Sequence, residues 1–94
     1  GWAGEAAREQ VLEIYRTNGR TEEFLSEGRV LAEMLFKNGL LNRARQLLKS
    51  LVNLAPLDVR FRKLFSLTLI GLGEEQAALW ELKELARLLE KQGG

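Results

Sequence analysis

Apolar residues recur at steps of three and four along most of the chain, which is the spacing of one face of an α-helix. Asn-Gly pairs at 18–19 and 38–39 and a single proline, Pro56, lie between the apolar runs and divide them into about five predicted helices. Because the connecting turns are short, successive helices are expected to run antiparallel. The pattern therefore predicts an all-α stack of helical hairpins and disfavours β-strands.

Three polar residues predict where helices begin. Thr21, Asn42 and Asp58 each precede or open an apolar run, and their side chains can accept a hydrogen bond from a first-turn N–H. They are therefore predicted to be the N-caps of the second, third and fourth helices, the second of which runs to about residue 37. The acidic pair at 74–75 is favourable at the positive end of a helix dipole, so a fifth helix is predicted to begin there and to reach about residue 91.

The first and last predicted helices differ in how much of their circumference is apolar. The first is predicted to turn four residues inward: Ala7, Val11, Ile14 and Tyr15. In the last helix, apolar residues cover far more of the circumference than one buried stripe needs. We therefore expect a homo-oligomer contact, a contact with another chain, or one with a further part of the protein, made by Trp80, Leu88 or both. The alternative is that the N-terminal helix folds across this surface, with Trp2 making the contact.

The sequence repeats itself at a fixed interval. One shift of the chain against itself superposes six pairs, and we call it the repeat shift: Leu31 and Phe65, Leu35 and Leu69, Gly39 and Gly73, Ala44 and Ala78, Leu48 and Leu82, and Leu51 and Leu85. A helix-turn-helix unit of this length, about 34 residues, is typical of the tetratricopeptide repeat (TPR) family. The chain resembles that family over residues 25–92, with one repeat at 25–58 and a second at 59–92. Residues 1–24 do not continue the period and are either half a repeat or a capping helix.

The resemblance implies a short TPR-like superhelix with a concave groove, which the first helix of each repeat lines. Carrying the family's groove positions over gives Ser26, Arg29, Val30, Glu33, Phe36 and Lys37 from the first repeat, and Arg60, Lys63, Leu64, Leu67 and Ile70 from the second. This lining combines aliphatic surface with positive charge, which suits an amphipathic or acidic-hydrophobic segment of a partner protein. The alternative is that the apolar members, Val30, Leu64, Leu67 and Ile70, pack against neighbouring helices.

The function that the resemblance implies is that of a non-catalytic protein-protein interaction module or adaptor. The chain is similar in size, repeat pattern and charge-rimmed apolar groove to the small TPR chaperones of bacterial type III secretion, which implies a chaperone role. A different class of function is an oligomerising scaffold segment of a larger protein, with the contact made by the last helix.

Composition excludes several other classes. The chain has no cysteine and no histidine, which removes disulfides, thiolate nucleophiles, imidazole bases and the usual zinc ligands, so neither an enzyme nor a metal or cofactor site is predicted. A net charge of +1 is too small to attract nucleic acid electrostatically, so no nucleic-acid partner is predicted. Six basic residues are predicted to form a solvated face: Arg43, Arg45, Lys49, Arg60, Arg62 and Lys63. The longest uncharged stretch, 64–73, is too short to insert into a membrane, and a cytoplasmic location is expected.

Overall fold

Five α-helices make up the fold. The computed structural model describes residues 2–93, with side chains from residue 4, and these residues contain no β-strand. In chain order the helices are α1 (Trp2–Thr17), α2 (Thr21–Lys37), α3 (Leu41–Leu54), α4 (Val59–Gly71) and α5 (Glu75–Gly93). The all-α prediction and the number of helices are confirmed. None of the five helices has the length and apolar character needed to cross a membrane.

The predicted cap of α4 is confirmed. An oxygen of the Asp58 side chain accepts a hydrogen bond from the backbone N–H of Arg60 at 2.9 Å. The Asp58 carbonyl accepts the first helical hydrogen bond, from the N–H of Arg62 at 3.3 Å. Asp58 therefore satisfies one of the N–H groups that the start of a helix leaves without an intrahelical partner.

Replacing this cap tests its contribution to stability. We expect Asp58→Ala to lower the free energy of unfolding by about 1 kcal/mol, whereas Asp58→Asn keeps an accepting oxygen and is expected to lower it less. Hydrogen bonds from the Arg60 side chain lower the pKa of Asp58 in the folded protein. The carboxylate's contribution is therefore fully present above the unfolded pKa of about 4 and is lost as the pH falls through the lower folded pKa. Urea unfolding at neutral and acidic pH measures both effects; an equal loss for the two variants would contradict the cap.

The caps predicted for α2 and α3 are wrong. Thr21 is itself the first residue of α2, and Arg20 occupies the N-cap position without a side-chain hydrogen bond. Asn42 is the second residue of α3, and its side-chain oxygen accepts a hydrogen bond from Arg45 at 3.2 Å. The physical reason is that the Asn-Gly turns lead directly into the next helix through backbone hydrogen bonds, so no side-chain cap is needed there.

Three of the four turns share one backbone geometry, centred on Gly19, Gly39 and Gly73. Each of these glycines has a positive φ, between 67° and 77°, which is strained for residues with a Cβ. In each turn the glycine N–H donates to the carbonyl three residues earlier, and the following N–H donates to the carbonyl five residues earlier at 2.9 Å. This is the pattern of a Schellman-type helix end. Because the repeat shift places Gly39 on Gly73, the turn geometry repeats at the interval found in the sequence.

The helices pack in chain order into two layers. Each helix packs against the next, and α2 also contacts α4. On the opposite side, Arg43 of α3 forms an ion pair with Glu9 of α1, and Arg45 of α3 forms one with Glu74, beside α5, at 3.0 Å. We therefore describe α2 and α4 as one layer and α1, α3 and α5 as the other. Helices α1 and α5 are the two ends of this stack.

The core fills the space between the layers. Close approach of α2 and α3 depends on Gly28, where an added Cβ would lie 2.7 Å from a methyl carbon of Leu51. All the buried apolar residues except Leu88 form one cluster: Leu12, Phe24, Leu31, Ala32, Leu35, Ala44, Leu48, Leu51, Val52, Phe61, Phe65, Leu69 and Ala78. All five helices contribute to it, so the two predicted repeats share a single core.

The predicted inward face of α1 is confirmed at Tyr15 and wrong at Ala7 and Ile14. Ala7 is exposed, and Ile14 is 59% exposed, while the buried apolar residue of α1 is Leu12, with Tyr15 packed beside it. The physical reason is that α1 packs against one helix, α2, so only a narrow stripe centred on Leu12 is covered. In the described chain α1 does not reach α5, so the prediction that the N-terminal helix covers α5 is also wrong. The side chain of Trp2 lies outside the described residues.

Candidate functional site

A cleft between α2 and α4 brings together six of the residues predicted to bind a partner. Its volume is about 240 Å³. We call it the α2–α4 groove; it is lined by Arg29, Ala32, Glu33, Arg60, Phe61, Lys63, Leu64 and Leu67. It lies on the layer where the resemblance placed a concave surface.

Helical spacing explains why these side chains share one surface. Arg29 and Glu33 are four residues apart on α2, and Arg60, Lys63 or Leu64, and Leu67 follow at steps of three or four on α4. The floor consists of the buried side chain of Phe61 and of Ala32, whose small size leaves the space open. Leu64 is half-buried and Leu67 is 41% exposed, so both present apolar surface to an incoming group.

The charges around the groove are unequally paired. Arg29 forms an ion pair with Glu33 at 3.4 Å, and Arg60 forms one with Asp58 at 2.9 Å. The hydrogen bond to Asp58 raises the pKa of Arg60, which stays charged throughout the physiological range. Lys63 makes no ion pair with any residue that the structure describes. The rim of the groove therefore carries one positive charge that the protein does not neutralise.

The other predicted groove residues lie outside the groove. Phe36, Lys37 and Ile70 lie in or near the last turns of α2 and α4, beyond the part of the cleft that Arg60 to Leu67 line. Val30 is half-buried and does not line the groove, and Ser26 lines a separate cleft of about 300 Å³ beside it. The groove is shorter than the resemblance implied because the two helices line a common cleft only from Arg29 to Glu33 on α2 and from Arg60 to Leu67 on α4. None of the four apolar residues considered as packing residues is fully buried.

Sequence reasoning missed a larger cleft on the opposite layer. It has a volume of about 630 Å³ and lies between α3 and α5, with α4 behind it. The prediction that Arg62 belongs to a solvated face is wrong: Arg62 is buried in this cleft, where it donates a hydrogen bond to Glu81 at 2.7 Å and another to the Pro56 carbonyl at 3.1 Å. Its burial depends on a carboxylate of a different helix, which the local charge pattern does not reveal.

The two residues predicted for an oligomer contact have different surroundings. Trp80 is exposed and lies at the rim of the α3–α5 cleft. Leu88 is buried within the chain, on the side of α5 that carries Ala78 and Glu81. Of the two, Trp80 alone is accessible to another molecule.

The groove combines an apolar floor with charged groups at its rim. Its floor can take an apolar side chain, and Lys63, Arg29 and Arg60 can orient an anionic group at its rim. In residues 4–93, no group of three or more histidine, cysteine, aspartate or glutamate side chains is placed to hold a metal ion.

No family model and no curated protein sequence matches the chain.

Proposed function

We propose that the protein is a non-catalytic interaction module that binds an amphipathic or apolar segment of a partner protein in the α2–α4 groove. The observation that carries this proposal is the combination of exposed apolar surface at Leu67 with an unneutralised positive charge at Lys63. These residues lie four apart on the same helix and line the same cleft. A segment with an apolar anchor and an acidic flank would satisfy both features.

The size of the groove sets the strength of this binding. A cleft of about 240 Å³ accommodates one or two apolar side chains. Each buried side chain contributes about 1.5–3 kcal/mol, from which the cost of association is subtracted. The groove therefore supports modest affinity on its own. A helical partner segment would place its anchors at steps of three and four residues, as in other helix-in-groove complexes.

The charge distribution sets the class of partner. Arg29 and Arg60 are paired with carboxylates on their own surface, so the remaining positive charge is that of Lys63. An acidic residue next to the anchor would gain a favourable interaction with Lys63, whereas a basic residue would be repelled. Such charges act mainly on orientation and on the rate of encounter.

Leu67→Glu tests the proposal. The new carboxylate would have to be desolvated at the edge of the apolar floor and would repel an acidic flank, so we expect at least a tenfold rise in Kd, or about 1.4 kcal/mol. The probes are peptides selected from a random display library on the wild-type protein, and fluorescence anisotropy measures their Kd.

The matched control is Leu57→Glu. Leu57 lies in the turn between α3 and α4, does not line the groove and is 71% exposed. The same change in charge and size at this position is expected to leave the Kd of the selected peptides unchanged. Equal weakening by both variants, or none by Leu67→Glu, would contradict the groove as the binding site.

A chaperone that holds an apolar segment of an export substrate, as in bacterial type III secretion, is the narrower form of this proposal. It rests on the same groove and on the resemblance in size and repeat pattern. It would place the protein in the cytoplasm, where such a substrate is held before export. Selected peptides that are apolar and acidic would support this form, whereas basic peptides would argue against it.

A second candidate function is that of a scaffold segment that oligomerises through α5. The observation in its favour is the apolar surface that α5 leaves exposed, which includes Trp80 and a row of leucines. Trp80 and the leucine row lie on different sides of the helix, so mutation can separate their contributions.

A further inference from the structure

The two ends of the helix stack carry apolar rows that face away from the chain. On α1 the row is Ala7, Val11 and Ile14; on α5 it is Leu79, Leu82, Ala86 and Leu89. Ile14 is 59% exposed and Leu82 is 39% exposed. We call these the α1 row and the α5 row. Glu9 lies on a different side of α1 and faces α3, where it pairs with Arg43. The side of α1 that carries the α1 row is therefore turned away from α3 and forms the outer surface of the stack.

Within the chain, α3 carries the counterpart of the α5 row, and a neighbouring helix covers it. The repeat shift places the two middle residues of the row, Leu82 and Ala86, on Leu48 and Val52 of α3; Leu79 and Leu89 fall on Arg45 and Ala55. Leu48 is 0% exposed and Val52 is buried, and Val52 lines the same cleft as Phe65 of α4, which packs against α3. The α5 row is therefore a surface of the kind that α4 covers inside the chain, and in the described residues no helix covers it.

The α1–α2 hairpin has the same construction as the α4–α5 hairpin. Gly19 and Gly73 form the same turn, and we call the shift that places one on the other the hairpin shift. Under this shift the ion pair between Arg8 and Glu27, at 3.1 Å, corresponds to the pair between Arg62 and Glu81, at 2.7 Å. Because the turn and the cross-hairpin contact both coincide, α1 has the same position in the α1–α2 hairpin as α4 has in the α4–α5 hairpin.

This equivalence identifies the surface that α1 presents. The hairpin shift places the α1 row on three residues of α4: Phe61, Phe65 and Thr68. All three are buried. Phe61 lines the groove beside Ala32 of α2, and Phe65 lines the α3–α5 cleft with Val52 of α3, so this side of α4 faces α2 and α3. The α1 row is therefore the counterpart of the surface with which α4 packs onto α3 and α2.

We propose that α1 of one copy packs onto α5 of a second copy, in the way that α4 packs onto α3 within the chain. The occupant of the α5 row is thus the α1 row of another molecule of the same protein. Because the two surfaces differ, the contact is head-to-tail. A pair of molecules therefore keeps an uncovered α1 row at one end and an uncovered α5 row at the other. Assembly is open-ended and increases with concentration. It gives the scaffold function a specific contact and is independent of the groove.

Two single variants and their mixture test this contact. Ile14→Glu removes the α1 row but leaves the α5 row intact, and Leu82→Glu does the reverse. We expect the average mass of the wild-type protein to rise with concentration, and each variant to remain monomeric. An equimolar mixture retains one functional contact and is expected to form a dimer and nothing larger. Sedimentation velocity over a concentration series measures all four samples.

Controls separate this contact from others on the protein. Trp80→Glu changes α5 on the side of the α3–α5 cleft, and Leu67→Glu changes the groove; both are expected to assemble like the wild type. Circular dichroism verifies that each variant is folded. If either row variant fails to fold, Ala7→Glu and Leu89→Glu change the same rows at other exposed positions.

Three results would overturn the proposal. A wild-type protein that is monomeric at every concentration would exclude the contact. An Ile14→Glu variant that dimerises as the wild type does would assign the α5 row to a two-fold contact with another α5. A mixture that stays monomeric while the wild type assembles would show that the two rows do not bind each other.

Discussion

Arg62→Met is expected to lower the free energy of unfolding by about 3–5 kcal/mol, the cost of removing one partner from a buried ion pair. The side chains of Arg62 and Glu81 are only 8% and 12% exposed, and their nearest nitrogen and oxygen lie 2.7 Å apart. Without the guanidinium, the Glu81 carboxylate is left buried without its counter-charge, and the Pro56 carbonyl loses a donor. Urea unfolding, followed by circular dichroism, measures the loss.

The chain contains a matched control for this prediction. Arg8 and Glu27 form the equivalent ion pair in the α1–α2 hairpin, but their side chains are 41% and 36% exposed. Arg8→Met is therefore expected to cost less than about 1 kcal/mol. The double change Arg62→Met with Glu81→Leu is expected to recover most of the lost stability, because it removes the unpaired carboxylate as well. Similar losses for Arg62→Met and Arg8→Met would contradict the role of burial.

Leu48→Ala is expected to lower the free energy of unfolding by about 3 kcal/mol. Leu48 is fully buried between α3 and its neighbours, so truncation removes apolar contacts and leaves a cavity. Its counterpart under the repeat shift, Leu82, is 39% exposed. Leu82→Ala is expected to cost less than about 1 kcal/mol when unfolding is measured at low protein concentration. The same chemical change at equivalent positions thus separates a covered helix surface from an uncovered one.

Together, Leu48→Ala and Leu82→Ala test whether α4 covers α3 and whether the α5 row is uncovered. A small loss for Leu48→Ala would mean that α4 does not pack tightly over α3. A loss for Leu82→Ala as large as that for Leu48→Ala would mean that the α5 row is covered in the isolated chain. Either result would remove the basis for the α5 row as an open surface.

Features that depend on local sequence were predicted well. The turns at the two Asn-Gly pairs follow from a positive φ that only glycine adopts easily, and the cap at Asp58 follows from a hydrogen bond two residues along the chain. The helical period fixed the number of helices. The caps at Thr21 and Asn42 were wrong because the preceding turns already direct the backbone into the helix.

Features that depend on distant contacts were predicted less well. Helix α1 has two apolar stripes, one through Leu12 and one through Ile14, and only the packing of α2 decides which is buried. Arg62 looked like a surface cation because its partner, Glu81, lies on another helix. The resemblance to the TPR family gave Leu64 and Leu67 as groove residues, and both line the cleft, whereas the length of the cleft depends on how α2 and α4 meet.

If the α2–α4 groove is the binding site, an NMR titration will place the bound peptide there. The isotope-labelled protein is titrated with an acidic, apolar peptide selected on the wild type, and backbone amide shifts are followed. We predict that the largest shifts occur at Arg29, Ala32, Lys63, Leu64 and Leu67, and that Leu67→Glu abolishes them while Leu57→Glu does not. Shifts concentrated around Trp80 and the α3–α5 cleft, or spread evenly over the chain, would contradict the claim.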